Sequence, residues 1–144
     1  MKLLLPLLAL LGGAAVAIQG QINGGLGKKV GVIETSFISF SIGTLALFFI
    51  VIFFGKGDLL AVSTVPKWQL TGGLLGAFYV VIAVLVVPRL GVAGSFMAII
   101  TGQIILGALI DHFGLFGGDK IPIDGKKALA ILLLFFSIYL FNKN

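Results

Sequence analysis

Apolar positions run almost without a break through five stretches, residues 3–22, 30–54, 69–87, 91–110 and 128–141. Polar and charged residues gather in the short segments between them, 23–29, 55–68, 88–90 and 113–127. A helix crossing a bilayer needs roughly 20 apolar residues at about 1.5 Å rise each, and the first four stretches meet that length. The fifth is shorter, but Lys126, Lys127 and Lys143 at its ends can extend their ammonium groups to the interfaces. The pattern predicts an all-α polytopic membrane protein, a five-helix transmembrane bundle forming one domain over residues 1–144. Its loops are too short to hold a soluble domain.

Composition narrows the classes further. The 144-residue chain is 59% hydrophobic and only 10% charged, which leaves too few charges to cover a water-facing surface. Its 21 glycines are excessive for soluble helices but suit transmembrane ones. The net charge of +5 comes from lysines at span ends, so no basic face exists for nucleic acid. With no cysteine there is no disulfide, thiolate metal site or cysteine nucleophile. No motif for a hydrolase, metalloprotease or nucleotide loop occurs, so neither an enzyme nor a cofactor or metal is expected. Lys2, the following leucines and Ala15-Val16-Ala17 imitate a secretory signal. Cleavage there would remove the first span, and the segment is expected to stay.

Charge also bears on orientation. Five spans place the termini on opposite sides. One side then carries Lys2, Lys56, Lys67, Lys120, Lys126 and Lys127, and the other Lys28, Lys29, Arg89 and Lys143. Six against four prefers the first side in the cytoplasm by a narrow margin. Both a single orientation and insertion in two orientations are compatible with it. The Pro88-Arg89 turn is expected to set the third and fourth helices antiparallel and adjacent, and Trp68 is expected at an interface.

Polar residues inside hydrocarbon need a protein or water partner, so each is a candidate. Gln19, Gln21 and Asn23 close the first span, where amides suit a polar solute, interhelical hydrogen bonding or a helix terminus at Asn23-Gly24-Gly25. Glu34 is the only glutamate. It either complements a helix N-terminus and pairs with Lys28, Lys29 or Arg89, or exchanges a proton or cation. Ser36, Ser39 and Gly43 make a weakly polar face leading inward from it. Tyr79, Thr101 and Gln103 are expected at similar depth, though hydroxyls often bond only their own backbone. Asp111-His112 reads as an interfacial polar pair. Gln19, Asn23, Glu34, Ser36, Ser39, Tyr79 and Gln103 form the candidate substrate-binding set. Gly13 and Ala17 (with Ala9), Gly72 and Gly76, and Gly94, Ala98 and Gly102 recur at fourfold spacing as candidate helix-packing positions.

Gln19-Gly20-Gln21-Ile22-Asn23-Gly24, the run Phe37-Ile38-Ser39-Phe40-Ser41-Ile42-Gly43-Thr44-Leu45 and the short Pro88-Arg89-Leu90-Gly91 connection resemble the bacterial YdcZ-type proteins. These belong to the drug/metabolite transporter superfamily. The resemblance covers essentially the whole chain. It implies a multi-pass inner-membrane secondary transporter of a small polar metabolite or drug-like solute, built as half of a ten-span inverted-repeat fold. An antiparallel second copy, or an oppositely oriented paralogue, would supply the other half. The small multidrug exporters of the superfamily carry a glutamate in their first helix. This chain has no acid there, so ion coupling would fall to Glu34 or be absent. A non-transporting membrane adaptor or assembly protein and a passive channel are the readings from other classes.

Overall fold

A computed structural model describes residues 3–143, so the charge assigned to Lys2 lies outside the described residues. The described residues form five α-helices: α1 (Leu4–Val30), α2 (Val32–Phe54), α3 (Gly72–Leu90), α4 (Val92–Phe113) and α5 (Gly125–Asn142). No strand occurs among them. Helices follow from the solvent, because hydrocarbon offers no partner to backbone N–H and C=O groups and a helix satisfies them internally. Among the described residues four segments are long and apolar enough to cross a membrane: Leu4–Val30, Val32–Phe54, Lys67–Leu90 and Val92–Phe113. The stretch expected as a fifth span forms the 18-residue α5.

The chain divides into two compact units, Met1–Arg89 and Leu90–Asn144. In the first, α1 and α2 are separated by one residue, Gly31, at φ 105° and ψ 156°. That backbone region is essentially closed to residues with a Cβ. The turn was expected at residues 23–29, yet α1 runs straight through them. Of the two glycines that read as a terminator, Gly24 serves as a contact point instead, as does Gly27 further along, while a Cβ on Gly25 would meet nothing within 4 Å. A Cβ on Gly24 would stand 3.1 Å from Pro88 Cγ, and one on Gly27 would stand 2.6 Å from Val84 Cγ1. α3 likewise continues through Pro88 to Leu90, beyond the expected end of its span. A 3₁₀ segment over Lys67–Thr71 leads into it. The buried apolar positions of α3 are Val80, Ala83, Val84 and Val87. Ahead of α3, Asp58 starts a 3₁₀ turn over Leu59–Thr64, its Oδ1 accepting from Leu60 N at 2.9 Å.

In the second unit α4 ends at Gly114, whose left-handed φ of 61° lets its N–H cap the Asp111 and Ile110 carbonyls. The following loop is tied back by its own backbone. Ile121 N donates to Asp111 O at 2.7 Å, and Ile123 N donates to His112 Nδ1 at 3.0 Å. Asp124 then caps α5, its Oδ1 accepting from Lys127 N at 2.8 Å. At the far end Lys143 Nζ lies 5.5 Å from the centre of the Tyr139 ring, a cation–π contact.

Candidate functional site

Among the described residues a side-chain polar contact between spans lies on the α1–α2 hairpin. Asn23 stands eight residues before Gly31 and Ser39 eight after, so about 12 Å of helix separates each from the turn. Equal offsets in an antiparallel pair bring the two side chains level. Asn23 Nδ2 donates to Ser39 Oγ at 3.0 Å. The asparagine is buried, at 7% exposure, and its Oδ1 makes no hydrogen bond among the described residues. One amide thus both fastens the hairpin and keeps an acceptor in reserve.

The remaining candidates have other surroundings. Ser36 is buried, but its hydroxyl donates to Val32 O at 2.8 Å and is occupied within its own helix. Thr101 does the same towards Met97 O at 2.9 Å. Tyr79 is half-buried, while Gln19, Glu34 and Gln103 are exposed. The Glu34 carboxylate folds over Gly31. It forms no ion pair with Lys28, Lys29 or Arg89 among the described residues, so the pairing offered by one of its two readings is not formed. It does occupy the first turn of α2, where a negative charge favours the helix dipole.

The small-residue positions divide in the same way. A Cβ on Gly76 would meet Phe40 Cζ at 3.3 Å, Gly94 is buried and Ala17 is half-buried. A Cβ on Gly13, Gly72 or Gly102 would meet nothing within 4 Å, and Ala98 is exposed.

Sequence reasoning missed Gly27, Gly31 and Thr35. A signal for the last two was present: Gly31-Val32 followed by Thr35 recurs 60 positions later as Gly91-Val92 followed by Ser95. Gly91 repeats the backbone of Gly31, with φ 75° and ψ 164°. Thr35 N donates to Gly31 O and Ser95 N to Gly91 O, both at 3.1 Å. Both hydroxyls are buried without a hydrogen-bond partner. Each of these helices therefore starts on a glycine that only glycine can occupy comfortably, with a small hydroxyl residue closing its first backbone bond.

In the second unit Asp111 and His112 act through different groups. The Asp111 carbonyl receives two backbone N–H groups, while the imidazole accepts a third at Nδ1 and so carries its proton on Nε2 when neutral. A cavity of about 340 Å³ lies beside them, lined by Ile104, Ala108, Asp111, Ile123 and Lys127 among others. Lys127 Nζ donates to Pro122 O at 3.0 Å and leaves the Asp111 carboxylate unpaired among the described residues.

Long apolar helices, a one-residue hairpin and a buried amide linking two spans define a multi-pass helical membrane protein. Over residues 4–140 the chain matches the family described as "Putative inner membrane exporter, YdcZ". It belongs to that family, whose description is that of an inner-membrane exporter. No curated protein and no solved structure matches the chain.

Proposed function

We propose that the protein exports a small polar solute by alternating access, with an antiparallel second copy or an oppositely oriented paralogue completing the pathway. The observation that carries the solute class is the Asn23–Ser39 contact, where the amide of a buried asparagine meets a hydroxyl between two spans. A neutral amide and hydroxyl suit a neutral or zwitterionic polar solute better than a lipophilic cation, which favours a carboxylate. Gln19, Glu34, Ser36, Tyr79 and Gln103 are the further lining candidates, and α5 serves as the fifth span. The description of the family as an exporter supports the transport reading. The narrow lysine balance supports insertion in two orientations, from which an inverted pair can assemble.

The absence of cysteine makes orientation directly measurable. A single Lys143→Cys substitution is labelled in intact cells with an impermeant thiol reagent, before and after permeabilisation. Labelling of about half the sites from outside is expected for two equally populated orientations. One-sided labelling overturns the homodimer and requires a paralogue. For transport, Asn23→Ala and Ser39→Ala are expected to reduce export of a polar-solute panel from loaded vesicles. Full activity in both removes this contact from the pathway.

A further inference from the structure

The first unit carries a cationic cavity that the transport reading does not use. Its volume is about 320 Å³, within the range of small-ligand sites, and its wall includes Lys28 and Arg89 together with Gly27, Val32, Val84 and Pro88. The two cations come from different helices and are 61 positions apart in sequence. Among the described residues Lys28 has no hydrogen-bond or ion-pair partner. Arg89 donates from Nη1 to Leu85 O at 2.8 Å and keeps its remaining guanidinium donors. The neighbouring charges on α1 and α2 are Lys29 and Glu34. No ion pair involving either is formed among the described residues. Three positive charges against one negative leave this end of the unit cationic.

Depth indicates which anion reaches it. At 27 residues α1 is about 40 Å long, against a hydrocarbon core of about 30 Å. Lys28 lies in its last turn and so stands at headgroup level. Leu85, which also lines the cavity, is 38% exposed and offers an apolar flank for an acyl chain. Guanidinium and ammonium groups are the usual partners of phosphate oxygens, the first as a fork and the second as a point charge. We propose that the cavity holding Lys28 and Arg89 binds the phosphate group of an anionic phospholipid. Basic pockets between membrane helices are suited to such headgroups.

The test compares phosphatidylglycerol with phosphatidylcholine on the full-length protein in neutral detergent, by native mass spectrometry and by thermal melting. Wild type is expected to retain phosphatidylglycerol preferentially and to melt later in its presence, a readout that needs no variant. Lys28→Gln with Arg89→Gln is expected to weaken retention about thirtyfold, taking about 1 kcal/mol for each basic residue near a membrane surface. Lys28→Arg with Arg89→Lys should keep binding. Lys56→Gln with Lys67→Gln, which removes the same charge outside the cavity, should keep it too. An equal loss in that control, or no preference between the two lipids in wild type, overturns the site. Stabilisation by glycerol 3-phosphate or inorganic phosphate without any by phosphatidylglycerol overturns the lipid assignment and points to a soluble phosphate ligand.

Discussion

The two halves of α1 both carry glycines but differ in composition and in their surroundings. Its first half carries Leu4, Leu5, Leu7, Leu8, Leu10 and Leu11, all exposed, with open space where a Cβ on Gly12 or Gly13 would stand. Its second half buries Gly20, Asn23 and Gly24 and brings Gly27 against α3. Both halves contain glycines at close spacing, yet only the second is gripped. The partner decides the outcome: β-branched Val84 and Val87, with Pro88, fill the space that missing Cβ atoms leave. Small residues permit close approach in a membrane, but knobs from a facing helix must use it.

The hardest strain on this contrast is a bulky residue at each half. Gly27→Leu is expected to destabilise by about 3 kcal/mol, the upper range for overpacking a filled contact. Gly13→Leu should stay within about 0.5 kcal/mol. Melting temperatures in detergent read both, and equal tolerance would erase the distinction between the halves. Gly27→Ala combined with Val84→Ala should regain part of what Gly27→Ala alone loses, since a Cβ at 27 meets Val84 Cγ1.

Next in size comes the turn that allows the gripped half to fold back on α2. Gly31→Ala forces a Cβ into a region held essentially for glycine and is expected to cost about 2 kcal/mol. Gly12→Ala, on the open half, is expected to be neutral or slightly stabilising through helix propensity. A Gly31→Ala variant that melts with wild type would mean the turn is not fixed at this residue.

A smaller effect belongs to the polar pair. Hydrogen bonds between membrane helices average about 0.6 kcal/mol in double-mutant cycles, with a maximum near 1.7. Asn23→Ala, Ser39→Ala and their combination should give a coupling energy in that range, and a coupling of zero would show that the 3.0 Å contact stabilises nothing. Smallest of all is Thr35→Val. Its hydroxyl is buried and unpartnered, so removing it leaves no other group unsatisfied. A change within about 0.5 kcal/mol is expected. A loss well beyond that would reveal a hydroxyl partner gained in the membrane or in an assembly.

Much of this architecture was legible from the chain. Hydropathy located the helices, because a backbone in lipid has few options and apolar runs of sufficient length choose one of them. Asn23 and Ser39 were singled out as polar residues needing partners, and they meet each other. Their pairing was not visible, since it depends on a turn at Gly31, while Asn23-Gly24-Gly25 carries the stronger local turn signal. His112 stood out in the sequence as half of a polar pair at a helix end, but its bond to Ile123 N joins residues eleven apart through a loop whose path no local pattern dictates.

By itself the sequence determined residence in the membrane, the helical class, the family and the gathering of Lys28, Lys29 and Arg89 near span ends. These follow from hydrophobicity, charge and motif, which individual residues and short runs carry with them. Which glycine turns the chain, which glycines are crowded, and that Lys28 and Arg89 line one cavity came from the packing of the helices. Those outcomes depend on which side chain stands opposite, and that is a property of pairs of helices rather than of any one of them.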